Sequence, residues 1–174
     1  MKTYLEIKVP IRFGEEWFED LRDVLDDVNV TWQKGFYHIT MVFLDFTPTD
    51  VDLRPILRRH LEKASAPVIT FDKLDVFSTR SGMHIINMTA SKVPEDFLAL
   101  IEALRTDLKE AGCKIQSGFK LHVTLGRVKD PSVRISALKQ TISSVDFPSF
   151  TLTLTDVDFR VFRGETVFET TLVC

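Results

Sequence analysis

Along Tyr4-Leu5-Glu6-Ile7-Lys8-Val9 apolar and polar positions alternate with the period of a strand, and Pro10 ends the run. From Glu15 to Val28 the spacing lengthens to that of a helix, with Trp17, Leu21, Val24, Leu25 and Val28 on one face. Phe36 to Phe46 is β-rich. Thr47-Pro48-Thr49-Asp50 then signals a turn, and a second helix is predicted from about Asp52 to Ala64, with Asp50 or Asp52 as its cap. Val68 to Phe77 reads as a further strand.

The same order then recurs. Met83 to Ala90 is a strand pattern closing near Val93-Pro94, and Glu95 to Ala111 has helical spacing. Phe97, Leu98, Ile101, Leu104 and Leu108 are expected inward, with Gly112 as the C-terminal stop. Phe119 to Val128 is β-rich, Asp130-Pro131 opens a short helix, and strands follow from Thr151 to Phe162 and Thr166 to Val173. The correspondence reaches single residues. Gln33-Lys34-Gly35-Phe36 precedes His38-Ile39-Thr40-Met41, and Gln116-Ser117-Gly118-Phe119 precedes His122-Val123-Thr124-Leu125, with one extra residue in the second copy. A repeat of this size is a duplicated strand–helix–strand–helix unit, not a short-period solenoid. Nothing between the copies has linker composition. The expectation is therefore one domain over residues 1–174, of α+β class, with two pseudo-twofold-related lobes. Each lobe is an antiparallel sheet flanked by helices, and a groove lies between them.

Composition narrows the function more than the fold. Apolar residues make up 44% of the chain and charged residues 27%, ordinary for a soluble globular protein. No apolar run nears the ~20 residues that cross a bilayer. The first residues carry an early glutamate and no cleavage signature, so no signal peptide is read, and a cytoplasmic monomer without membrane attachment is expected. Two cysteines, Cys113 and Cys174, make neither a disulfide framework nor a zinc site. A net charge of −3 argues against a protein that coats nucleic acid nonspecifically, but not against an enzyme with a few cations in its cleft. Gly-rich phosphate loops, metal-ligand spacings and a Gly-x-Ser-x-Gly elbow are all absent from the sequence.

The candidate chemistry is in the repeat. Residues i and i+2 of a strand share a face, so His38 and Thr40 point one way while Ile39, Met41 and Phe43 point the other. His122 and Thr124 share a face opposite Val123 and Leu125. Paired about a pseudo-twofold axis, the two strands would set two imidazoles across one cleft. That suits phosphodiester hydrolysis without a metal or other cofactor. One neutral imidazole takes a proton from water, and one imidazolium gives a proton to the leaving oxygen. Histidine titrates near neutrality, so both forms are available. The threonine hydroxyls are placed to donate to non-bridging phosphate oxygens.

On these residues the chain resembles the two-histidine (2H) phosphoesterase superfamily, close to its bacterial 2′-5′ RNA ligase / RNA 2′,3′-cyclic phosphodiesterase group. The resemblance spans nearly the whole chain. It rests on the strand ending in Pro10, on Val30-Thr31-Trp32, on His38-Ile39-Thr40-Met41-Val42-Phe43-Leu44 and on Leu121-His122-Val123-Thr124-Leu125-Gly126-Arg127. Two departures stand out: Leu121 where the family often has proline, and Asp45 where it often has glycine. The resemblance implies hydrolysis of a 2′,3′-cyclic phosphate, at an RNA end or on a nucleotide, to a 2′-phosphomonoester, and it leaves room for weak 2′-5′ ligation, the chemical reverse of a related step. It also implies His38 as proton donor and His122 as proton acceptor. Arg127 is similar to an arginine that the family places near the phosphate, although strict alternation puts it on the face opposite His122 unless the strand carries a bulge.

Two other functions fit the same residues. One is a phosphodiesterase for 2′-5′ oligonucleotides or a non-RNA cyclic phosphate; the other is a module that binds phosphorylated ends without turnover. His60 is expected on a solvated helix face and His84 in a structural role. Phe36, Tyr37 and Phe119 are suited to stacking on a base, but are expected in the core.

Overall fold

The computed structural model describes residues 2–11, 15–116, 118–161 and 164–174. Ser117 of the second repeat signature and Phe162, the expected end of a strand, lie outside the described residues. In chain order the elements are β1 (Thr3–Val9), α1 (Glu16–Val24), β2 (Val30–Trp32), β3 (Tyr37–Phe46), α2 (Arg54–Leu61), β4 (Val68–Phe71), β5 (Lys73–Ser78) and β6 (His84–Thr89). There follow α3 (Glu95–Glu110), β7 (Lys114–Ile115), β8 (Val123–Val128), α4 (Ile135–Ile142), β9 (Phe150–Thr153), β10 (Asp156–Val161) and β11 (Thr166–Thr171). The expected α+β fold with two antiparallel lobes is present: β11-β10-β1-β3-β7 forms one sheet and β2-β8-β6-β5 the other.

Several boundaries differ from the sequence pattern, each for a physical reason. The first helix stops at Val24, where the chain tightens into turns closed by Asp26 N–H on the Asp23 carbonyl and Val28 N–H on the Leu25 carbonyl. Asp26 and Asp27 follow there, and carboxylates oppose the helix dipole at its C-terminal end. The second helix is shorter than its pattern and its N-cap is Leu53, neither of the expected aspartates; the Asp52 carboxylate accepts from Arg54 N–H at 3.1 Å one residue ahead of that cap. The expected strand 68–77 breaks at Asp72, whose carboxylate accepts from Ser91 N–H, and its halves join different sheets. In α3, Phe97, Ile101, Leu104 and Leu108 are buried as expected, but Leu98 is exposed and Arg105 is buried instead. Gly112 ends α3 at φ +96°, and Cys113 N–H reaches back to the Leu108 carbonyl.

The lobes are not the two halves of the chain. The order β1-α1-β2-β3-α2 is repeated as β6-α3-β7-β8-α4, but β2 pairs with β8 and β7 pairs with β3. Helix α3 packs on β3 and β7, while α1 packs on α4, which covers β5. Each copy thus lends a helix and an edge strand to the other's sheet. The crossing runs through Gly35 (φ +82°) and Gly118 (φ +79°), the same place in both copies and a conformation that favours glycine. The buried guanidinium of Arg105 holds the second crossing by donating to the Gln116 and Gly118 carbonyls. β4 pairs with β9 between the copies. Leu5, Ile7, Ile39 and Met41 from one sheet, and Ile86, Met88, Val123 and Leu125 from the other, belong to one buried apolar cluster. Full burial of each such side chain is worth roughly 1.5–3 kcal/mol, which fixes the facing of both sheets.

Candidate functional site

With Ile39 and Met41 in the core, His38 and Thr40 must face outward, and both are half-buried. His122 and Thr124 have the same half-buried setting opposite buried Val123 and Leu125. β3 and β8 pack against each other between the lobes, which brings the two motifs together. The electrostatics agree. Burial pushes the His38 imidazole down to about 4, helped by the charges of Arg127, His122 and Arg160. Burial also lowers His122, with Lys120 and Arg127 adding to it, while a hydrogen bond to the Lys120 carbonyl opposes. Both rings therefore lie within reach of the Arg127 charge, and His38 feels His122.

Strict alternation fails in both motif strands, at the same place. In β3, Leu5 pairs with Val42 but Glu6 pairs with Thr40, so Met41 is an extra residue. In β8, Ile86 pairs with Gly126 but Asn87 pairs with Thr124, so Leu125 is extra. Each bulge turns the following residues over. Phe43, expected on the core face, instead stacks on Tyr4 at 6.4 Å between centroids. Arg127, opposite Ile85, reaches the face of Thr124, and Gln33 of β2's edge accepts from its Nη1 at 2.9 Å.

The two imidazoles are held differently. His122 Nδ1 donates to the Lys120 carbonyl at 2.9 Å, which leaves Nε2 as the nitrogen with a lone pair. The Phe77 ring meets the His122 ring edge-on at 4.9 Å. Beside His38 lies a carboxyl that the motif does not announce. Glu6 is completely buried, its Oε2 is 3.5 Å from His38 Nε2 and its Oε1 is 3.4 Å from Arg160 Nη1. Tyr4 and Lys8 of β1, and Asp158 and Arg160 of β10, share that face; Lys8 pairs with Asp158 at 3.3 Å. The strand pattern does not single out Glu6, Lys8 and Arg160, because charged residues on an alternating strand ordinarily face solvent. The available signal was that Glu6 and Lys8 alternate on the strand beside the motif.

The remaining expectations divide. His84 is structural: Nε2 donates to the Val133 carbonyl, and Nδ1 accepts from Ser78. His60 is not solvated but half-buried, joining α2 to α3 through Asp107. Tyr37 and Phe119 pack in the core, against Phe18 and Phe97. Phe36 does not; it lies 5.8 Å from the His38 ring with Lys8 and Arg160 each 5.1 Å from its centre. Among the described residues no group of three or more His, Cys, Asp or Glu is gathered as a metal site. No described helix is long and apolar enough to cross a membrane.

Two interlocked α+β lobes, each presenting a His-x-Thr strand to the other, define a two-histidine phosphoesterase. The sequence profile of the 2′-5′ RNA ligase superfamily matches residues 13–166, and the chain belongs to that superfamily. Comparison with curated proteins by sequence finds no match. Among solved structures, the fold is similar to TT0787 of Thermus thermophilus (20% identity, 99% of this chain and 98% of that one, TM-score 0.62). It is also similar to Escherichia coli LigT complexed with NADP+ (15%, 99% and 98%, 0.60). Kluyveromyces marxianus Usb1 with uridine monophosphate is a third (13%, 99% and 98%, 0.63). At these identities the likeness establishes the fold.

Proposed function

We propose that this chain, acting as one bilobal domain, is a phosphodiesterase that opens a 2′,3′-cyclic phosphate, at an RNA end or on a nucleotide, to a 2′-phosphomonoester. The reaction needs no metal. His122 accepts the proton of the attacking water, and His38 gives a proton to the leaving oxygen. Thr40, Thr124 and Arg127 hold the non-bridging oxygens. The observation that carries this reading is the pair of half-buried imidazoles on packed strands, both within the field of Arg127.

Three features support the assignment of roles. In a neutral ring whose Nδ1–H is tied to a carbonyl the lone pair is on Nε2, the form a base needs, and the neutral His122 ring is held this way. Burial, with the charge of Arg127 behind it, depresses both histidines, and an anionic phosphate beside them would favour the imidazolium again. The bulge at Leu125 turns Arg127 to the face where charge would develop on the phosphate. Neighbours of this fold are known with NADP+, 3′-AMP or uridine monophosphate bound, which fits a nucleotide or RNA end as substrate.

The test is a panel of cyclic mononucleotides, ADP-ribose cyclic phosphate, 2′-5′ oligonucleotides and RNA with cyclic ends. Turnover of a 2′,3′-cyclic phosphate to the 2′-monoester is expected. Cleavage of the 2′-5′ oligonucleotides alone, or binding without turnover of any member, would replace this reading.

A further inference from the structure

One of the pairs of positions at which the two copies of the site differ is buried and differs by a charge. Glu6 pairs with Thr40 across β1 and β3, just after the bulge; Asn87 pairs with Thr124 across β6 and β8, just after the matching bulge. Both side chains are completely buried. The amide of Asn87 is satisfied in part, its Nδ2 donating to the Asp75 and Ile85 carbonyls. Each keeps one oxygen without a hydrogen bond among the described residues, Asn87 its Oδ1 and Glu6 its Oε2; Glu6 Oε1 accepts from Arg160 at 3.4 Å, and Oε2 is the oxygen that faces His38. A buried carboxylate oxygen without a hydrogen bond is costlier than a buried amide oxygen, because it carries charge, and it is cheapest as the neutral acid or beside a cation.

We propose that Glu6 is the positioning residue that keeps a proton within reach of His38, so that this imidazole, and not His122, serves as the acid; the inference rests on the phosphodiesterase reading. The groups facing the pair are Tyr4 and Lys8 on β1, Asp158 and Arg160 on β10, Arg127 on β8 and His122 just before it. Burial pushes Glu6 up to about 7 against the opposing pull of Arg160, while His38 is pushed down to about 4. Between those values the pair carries one proton and no net charge, with the proton on Glu6.

An anionic phosphate beside His38 favours the imidazolium, so the Glu6 O–H bond breaks and the proton passes to the ring. That N–H bond then breaks toward the leaving oxygen as its P–O bond opens. The attacking water forms the new P–O bond and gives its proton to His122; His122 releases a proton to solvent, and the half-buried His38 ring takes one up from solvent and passes it back to the Glu6 carboxylate.

The experiment compares wild type with Glu6→Gln in the pH dependence of kcat/KM. One substrate is a nucleoside 2′,3′-cyclic phosphate, and the other is a nitrophenyl ester whose leaving group needs no proton. In wild type the alkaline limb for the cyclic substrate is expected near pH 7, and in Glu6→Gln it moves toward pH 4. Near neutrality the variant loses about tenfold or more on the cyclic substrate and little on the nitrophenyl ester. An unmoved limb, or equal losses on both substrates, overturns the proposal. If the variant does not fold, nitrogen NMR of the wild-type imidazoles decides instead. On saturation with inorganic phosphate His38 becomes the imidazolium while His122 stays neutral, and a neutral His38 overturns the proposal. A fully active His38→Ala would sink the phosphodiesterase reading itself. An inactive His38→Ala with an unmoved Glu6→Gln profile would sink only the role of Glu6.

Discussion

The shared facing of His38 with Thr40, and of His122 with Thr124, was legible in the sequence because two copies of one pattern, each two residues apart, constrain facing without any tertiary knowledge. Glu6 was not, because one acidic residue in an alternating strand reads the same whether the strand's polar face meets water or another lobe. The threonines make the sharper test of phosphate contact, since Thr→Val keeps the shape and the β preference of the side chain. Thr40→Val and Thr124→Val should each lower kcat by about 10²-fold, the usual cost of one preorganised donor to a developing oxyanion, with Tm nearly unchanged. A loss of Tm with kcat intact would make them packing residues. His84 should behave in the opposite way. His84→Ala strands the Val133 carbonyl and should cost about 1–3 kcal/mol in denaturant unfolding while kcat is kept.

At the scale of elements, periodicity located the helices and motif strands but not the joins. The run 68–77 looked like one strand because Asp72 is a single polar residue inside it, and only its bond to Ser91 reveals the break. The bulges at Met41 and Leu125 were invisible for a related reason: an extra residue in a ladder is defined by the partner strand. Their consequence is Arg127, which depends on β2 crossing to the other lobe to set Gln33 beside it. Gly126 allows that approach; a Cβ there would lie 2.6 Å from Val30 Cγ1 and 3.0 Å from the Trp32 ring. Gly126→Ala should therefore push β2 outward, costing about 1–3 kcal/mol by overpacking and raising the KM of the cyclic substrate through a displaced Arg127. Thermal unfolding and steady-state kinetics of the one variant check both halves. An unchanged KM in a destabilised variant would separate β2 from the site.

For the whole molecule, the duplicated order was readable in the chain, whereas the exchange of α1, β2, α3 and β7 between lobes was not, since pattern carries no information on partners. The buried pair also sets how the molecule responds to pH. Glu6 is raised from 4.5 to about 7, so its folded form holds the proton more tightly, and its stabilisation is lost as pH rises through that window. His38 is lowered from 6.5 to about 4, so its contribution is lost as pH falls between those values. Glu6→Gln should thus lose less Tm than wild type between about pH 5 and pH 8, and a larger loss in the variant would contradict the raised carboxyl. Under the proposed reaction, hydrolysis should also survive exhaustive chelation, because its acid, base and phosphate donors would all be side chains. Loss in chelator with rescue by one divalent ion would overturn that.

The central claim is that two imidazoles act on one phosphate as acid and base, and the most direct measurement varies the leaving group. Turnover of the cyclic substrate should fall about 10²–10⁴-fold in both His38→Ala and His122→Ala, with substrate binding weakened less. On an activated ester whose leaving group needs no protonation, His38→Ala should recover much of its rate and His122→Ala should stay slow. Recovery by His122→Ala alone would reverse the roles, and full activity of either variant on the cyclic substrate would contradict the account.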